Sequence, residues 1–220
     1  MTEIEAIRAR HAVRNYTAKP LSPEIIDELS QEIEQCNRQG QLHIQLVTEN
    51  EDAFKTFIPL FGRFKNVKNY IALAAKKQGD FYVKCGYCGA RLMVKAQQAG
   101  LNSCWVTNTY NAKKCPVTLA PDEELVGVIA IGYGTTDGTQ HKSKSMERLC
   151  KPCSDKWFTD GMNAAVLAPT GLNRQDFFIE ANGNTVSIRT KDNHPMSQIN
   201  TGIVKYHFEI GAGRENFNWE

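Results

Sequence analysis

The stretch Leu167–Ala181, "LAPTGLNRQDFFIEA", decides how the chain is read. The run Trp157–Leu167 carries helical spacing and stops at Ala168-Pro169-Thr170-Gly171. A residue before proline is pushed out of the helical region, and glycine lets the chain turn tightly. Asn173, Arg174 and Gln175 follow, and then a short apolar strand begins. The same order occurs once before, in Cys36–Val47, "CNRQGQLHIQLV": a helix, then Asn-Arg-Gln, then a strand. Each stretch is followed by a second strand, "YIALAAK" (70–76) or "TVSIRTKD" (185–192), and then by a helix opened by glycine. Gly89 and Gly100 are as far apart as Gly202 and Gly213, and Trp105 and Trp219 close the two series. The sequence therefore predicts an α+β fold built on a duplicated α-β-β-α unit. The copies cover 21–110 and 155–220 of a single domain spanning 1–220.

The bulk numbers narrow the function. With 41% hydrophobic and 23% charged residues the chain can bury a core and is not a disordered segment. A net charge of +2 offers no basic field for nucleic acid. No apolar run approaches the ~18 residues of a membrane span, and the opening "MTEIEAIRARH" lacks the apolar centre of a secretion signal. Seven cysteines, an odd number in a chain of this length, suit a reducing compartment, so a cytoplasmic protein is expected.

Local signals place the elements. Thr2 and Glu5 form a capping box for a short helix ending near Arg10. Ser22 caps a second helix with Pro23 in its first turn and Ile25, Ile26, Leu29 and Ile33 as its buried stripe, ended by the polar "NRQGQ". "LHIQLVT" alternates as a strand, Asp52–Lys65 reads as a short helix plus loop, and "YIALAAK" as a more deeply buried strand. A helix is expected from about Gly86 to Gly100, then strands at "CWVTN" and "LVGVIAIGYG". Thr135–Cys153 reads as an extended polar excursion with a lysine cluster.

Two cationic runs are candidates for anion binding. In "RARHAVRNY" (Arg8–Tyr16), Arg10, His11 and Arg14 cluster where helix gives way to loop and can converge on one anion; a solvated basic face is the simpler reading of such a run. "HKSKSMER" (His141–Arg148) is the second; alone it would be an ordinary surface loop.

Taken in order, "AIRARHAVRNYTAKPLSPEIIDEL", "FKNVKNYIALA", "GYCGARLMVKAQQAGLNSCWV", "GVIAIGYG" and "LAPTGLNRQDFF" resemble the segments of the nitroreductase family of FMN-dependent oxidoreductases. The last resembles the family's Ala-Pro-Ser, Asn and Gln-Pro-Trp turn, placed here in the second half as in one subgroup. The resemblance implies a nitroreductase-like α+β fold, a central, mostly antiparallel sheet surrounded by helices, usually a homodimer with FMN at the subunit interface. It implies that Arg10 and His11 lie near the FMN phosphate and ribityl chain, with Lys142 and Lys144 on the phosphate. Arg14, joined by Arg63, would face the flavin's pyrimidine edge, and the loop at Thr107 and Asn108 would reach flavin N5. Pro169, Thr170, Asn173 and Gln175 would cover the ring, from the same chain or from the partner. Three positions differ from the family pattern: Ala12 replaces a serine, Asp176-Phe177 replaces Pro-Trp, and Asn200 replaces an aspartate.

The expected activity is transfer of hydride from NAD(P)H through flavin N5 to a small acceptor by a ping-pong route, the acceptor being a nitroaromatic, a quinone or a similar planar molecule. A flavin supplies that redox chemistry, which fits a sequence with no convincing nucleophile-and-base set. A flavin-binding protein without turnover is the alternative. The pairs "CGYC" (85–88) and "CKPC" (150–153) leave a third reading open. A thiol at a helix N-terminus is activated, and two such pairs can hold zinc, but structural or incidental thiols are the simpler reading.

Overall fold

The computed structural model describes residues 1–55 and 64–220 of the chain. These fall into two compact units. One contains 9–81 and 92–140; the other contains 1–8, 82–91 and 141–220.

In the unit built on 9–81 and 92–140, four strands form an antiparallel sheet in the order β1-β2-β4-β3: β1 Gln45–Val47, β2 Asn69–Lys76, β3 Asn102–Val106 and β4 Glu123–Gly132. β2 is buried from Asn69 to Ala75, which explains its unbroken apolar run. Burying a side chain such as Ile71, fully covered here, contributes roughly 1.5–3 kcal/mol. Register slips by one residue between Leu73 and Ala74, opposite Gly127 and Leu125, so β4 bulges at Val126.

Helix α2, Pro23–Gly40, starts as expected: the Ile25 N–H donates to Ser22 Oγ at 3.4 Å. It does not stop at "NRQGQ". Asn37 to Gly40 complete its last turn, and Gln41, left-handed at φ 55°, closes it. The helix continues because the Asn37 side chain is satisfied outside it: its amide donates to Ile44 O at 2.9 Å and accepts from Ile44 N at 2.7 Å. The expected strand over "LHIQLVT" shrinks to three residues plus a single bridge at Leu42. Of the expected helix after Asp52, a 3₁₀ turn at Asp52–Phe54 lies within the described residues.

In the other unit, α1 (Glu3–Ala9) carries the capping box, with Thr2 N–H donating to Glu5 at 2.8 Å and Glu5 N–H to Thr2 Oγ1 at 3.3 Å. Helices α4 (Lys156–Ala165) and α5 (Pro195–Ala212) accompany a second sheet, ordered β5-β6-β7. Its strands are β5 Phe177–Asn182, β6 Thr185–Thr190 and β7 Asn218–Trp219; β6 and β7 run parallel. Trp157 stacks on Phe217 with ring centroids 5.6 Å apart, tying α4 to the C-terminal segment.

Helix α3, Phe81–Gln98, begins five residues before the expected Gly86. Gly86 is not a start signal but a crossing point: a Cβ there would fall 2.1 Å from Ile199 O. Gly202 likewise sits inside α5 rather than at its opening, and a Cβ on it would fall 1.9 Å from Val83 O. The two helices touch backbone to backbone, and only glycine permits it. The element order α-β-β-α-β thus occurs twice, as α2-β1-β2-α3-β3 and α4-β5-β6-α5-β7. Gly100 and Gly213, each at φ 78°, end the paired helices. The shift that carries Gly100 onto Gly213 also carries Gly86 onto Ile199, so the crossing joins two residues related by that shift.

Candidate functional site

After α1 ends at Ala9, residues 10–17 lie against the edge of the first sheet. Ala12 pairs in parallel with Ser103 of β3, and the Val13 N–H donates to Ser103 O at 3.1 Å. The Thr17 N–H donates to Tyr133 O at 2.8 Å, and the Tyr16 hydroxyl lies 2.7 Å from Val13 O and 3.2 Å from Ala130 O. These anchors separate the cations. Arg14 is exposed, whereas Arg10 is only 4% exposed.

The Arg10 guanidinium is the unusual group. Its Nε and Nη1 are buried and have no hydrogen-bond partner among the described residues. Burial pushes its pKa down to about 10. A buried cation with no counter-charge among the described residues is costly. Cys104 lies within electrostatic reach: burial raises its thiol pKa, while Arg14 and Arg10 pull it back. His11 is half-buried, and its Cβ would lie 2.9 Å from a Cβ at Gly138, whose φ of 78° also favours glycine. Thr107 and Asn108 follow β3 in the same unit, with Asn108 exposed. Arg63, the second cation expected at a pyrimidine edge, lies outside the described residues.

The other expected residues form a cluster in the unit that contains 141–220. Leu172, Asn173 and Gln175 all have positive φ, at 53°, 52° and 47°. Such backbone persists only where neighbours over-determine it, and here Gln175 does so. Its side-chain oxygen accepts from Lys144 N–H at 2.6 Å, and its amide donates to Val166 O at 3.1 Å. Its own N–H donates to Thr170 Oγ1 at 3.1 Å, and its carbonyl accepts from Lys144 Nζ at 3.1 Å. Asn173 donates to Lys142 O at 2.8 Å, and His141 Nε2 lies 3.0 Å from Val166 O. The turn and the lysine loop are thus one hydrogen-bonded body.

Two of the expected residues are tied into this body. Gln175, 1% exposed, is an internal fastener and does not present its amide at the surface. Lys144 is committed to Asp176 at 3.1 Å as well as to the Gln175 carbonyl. Asp176, which replaces the family's proline, is what holds it. Asn200 reaches from α5 to accept the Gly171 N–H at 2.9 Å. A neutral carbonyl oxygen does this at a 7% exposed position without burying a charge.

Sequence reasoning missed two donors on β3. Ser103 Oγ and Trp105 Nε1 are buried and without partners among the described residues. The strand expected over "CWVTN" begins one residue after Ser103, so the serine stood outside it. The cysteines answer differently. Cys85 and Cys88 lie in the second turn of α3, 0% and 6% exposed, so the pair is not at the helix N-terminus where a thiol would be activated. None of the seven cysteines is in a disulfide, and among the described residues no three His, Cys, Asp or Glu side chains converge as metal ligands. Among the same residues no helix is long and apolar enough to cross a membrane.

Comparison with known proteins adds the following. A family model described as "Putative TM nitroreductase" matches residues 3–212. A Thermotoga maritima structure described as a putative nitroreductase superposes with a TM-score of 0.67 at 21% identity, covering 98% of this chain and 85% of that one. A Desulfovibrio desulfuricans structure, likewise described and in complex with FMN, gives 0.58 at 16% identity, covering 70% and 99%. An FMN-dependent nitroreductase from Clostridium difficile gives 0.50 at 18%, covering 60% and 88%. A search of curated protein sequences gave no match. At these identities the structural likeness establishes the α+β nitroreductase-like fold.

Proposed function

The chain belongs to the Putative TM nitroreductase family, and from that premise we propose that it is an FMN-dependent oxidoreductase taking electrons from NAD(P)H. The proposed acceptors are nitroaromatics, quinones or similar planar molecules, used in ping-pong order. The observation that carries the reading is Arg10, a buried guanidinium with two nitrogens unpartnered among the described residues, in a segment whose neighbours His11 and Arg14 are also basic. A phosphate monoester supplies the missing anion, and a charge-assisted, forked contact is what arginine provides best.

Bound FMN would accept and deliver the hydride, so no nucleophile or dedicated catalytic acid is required of the chain. Arg10 binds and neutralises the phosphate. Arg14, exposed, is the cation proposed for the flavin's pyrimidine edge, where it would offset negative charge. The turn at Pro169–Gln175 is proposed as a rigid lid: its fasteners point inward, and Pro169 and Asn173 are left at its surface. The two-fold homodimer expected from the resemblance and a cytoplasmic location are proposals of the same standing. Sedimentation should give twice the chain mass, and the mass of one chain would refute the dimer.

The test is one titration. Purified protein should bind FMN with a flavin absorbance that bleaches anaerobically on adding NADH or NADPH and returns with a quinone. Bound FMN that no nicotinamide donor bleaches would make the protein a flavin carrier, and failure to bind FMN would refute the reading.

A further inference from the structure

Helices α1, α4 and α5 line a cleft of about 300 Å³ within the unit that contains 141–220, at the small end of the range for small-molecule sites. Ile4 and Arg8 face it from one side of α1, and Lys156, Asp160 and Asn163 face it from one side of α4. Ile210, in the last turn of α5, completes the wall. The fold sets this shape: at Gly211, α5 comes so close to α4 that a Cβ would fall 2.4 Å from Asp160 O. The Tyr206 hydroxyl donates to Glu3 at 2.7 Å and ties α1 to α5. Lys156 lies 2.5 Å from Asp160, so those two charges cancel. Glu5, one turn before Arg8 on α1, is held by the Thr2 N–H at 2.8 Å. Arg8 is exposed and makes no hydrogen bond or ion pair among the described residues, and the same is true of the Asn163 amide. The cleft thus carries one net positive charge, free polar donors, and the half-buried apolar side chains of Ile4 and Ile210.

We propose that this cleft binds a small organic monoanion with an apolar body, a single-ring carboxylate being the size and charge that suit it. The Arg8 guanidinium grips the carboxylate with its forked N–H donors, Asn163 donates to the same group, and the ring lies on Ile4 and Ile210. An uncharged ring leaves Arg8 unpaired, and a dianion is disfavoured because the Asp160 carboxylate lines the same cleft. None of these residues is among those proposed to hold FMN, and the assignment does not depend on that reading.

The experiment titrates sodium benzoate, and separately its neutral near-isostere benzamide, into the purified protein at constant ionic strength, with backbone amide shifts read by NMR. Benzoate should shift the signals of Ile4, Arg8, Asn163 and Ile210 saturably. Benzamide should bind about tenfold more weakly or less, as for loss of a hydrogen bond between charged groups. Arg8→Met keeps the apolar stem and removes the fork. It should lower benzoate affinity about tenfold or more, leave benzamide unchanged, and keep the wild-type melting temperature. Equal affinities for the two compounds on wild type, or an Arg8→Met variant that binds benzoate as wild type does, would overturn the proposal. The wild-type comparison decides by itself if the variant fails to fold. Shifts centred on 107–108 or 169–175 would make the acid a ligand of the proposed flavin site and overturn the proposal, as would the absence of any saturable shift. Shifts at the cleft that follow protein concentration without benzoate would show a second copy covering it, and would overturn it equally.

Discussion

Replacing Gln175 by leucine tests whether the lysine loop and the turn are one body. The substitution keeps the volume and deletes both polar atoms of the side chain. Val166 O loses one donor but keeps His141 and Ser143, 3.0 and 3.2 Å away. The Lys144 N–H has no such reserve: its acceptor, at 2.6 Å, is Gln175 Oε1. Stranding that donor costs about 1–3 kcal/mol, and losing the amide bond to Val166 about 1 more, for a total of about 2–4 kcal/mol. At 1.4 kcal/mol per tenfold, hydrogen exchange at the Lys144 amide should quicken roughly thirty- to several-hundredfold. Exchange in β2 should not change. Site-resolved exchange by NMR reads both, and limited trypsin digestion at Lys142 and Lys144 gives an independent check. If Lys144 exchanges at the wild-type rate in Gln175→Leu, the side chain is core filling and the fastener reasoning fails.

Arg10→Leu should raise the melting temperature of the flavin-free protein while abolishing FMN retention, because the buried charge penalises the fold and serves only the ligand; a variant that keeps FMN refutes this. Gly202→Ala, whose new methyl would meet Val83 O at 1.9 Å, should destabilise by about 3 kcal/mol or more by forcing α3 and α5 apart. Gly183→Ala is the control: it has φ 59° but open space around it, so denaturant melts should show only the ~1–2 kcal/mol of left-handed backbone. The Glu123 carboxyl is held below its ordinary pKa of 4.5, first by the Ala120 N–H and then by His43. A depressed carboxyl stabilises the fold above that value and loses its contribution as pH falls through the folded pKa. Glu123→Gln should therefore be less stable than wild type at pH 7, by about 1 kcal/mol, with the gap closing as pH falls below the ordinary carboxyl range in paired thermal melts.

The starts of α1 and α2, the buried run of β2, and the turn at Pro169–Gly171 were all legible in the sequence. Each depends on a bond or a steric limit between residues at most a few positions apart: Thr2 with Glu5, Ser22 with Ile25, Ala168 before Pro169. The same run of signals occurs twice in the sequence, but the local geometry at the two places differs. The same Asn-Arg-Gln lies inside a helix at 37–39 and after a helix at 173–175, because Pro169 and Gly171 stop the second helix early. What no short window contained was burial. Arg10 and Arg14 are alike in the sequence, and a parallel bridge between Ala12 and Ser103, ninety-one positions apart, leaves one covered and the other exposed. Gly86 looked like a helix start because the residue that needs its missing side chain is Ile199, on another helix. Local hydrogen bonding and backbone sterics act over a turn or two of chain. Desolvation, charge pairing and close helix approach depend on which distant segments become neighbours, and only the tertiary structure decides that.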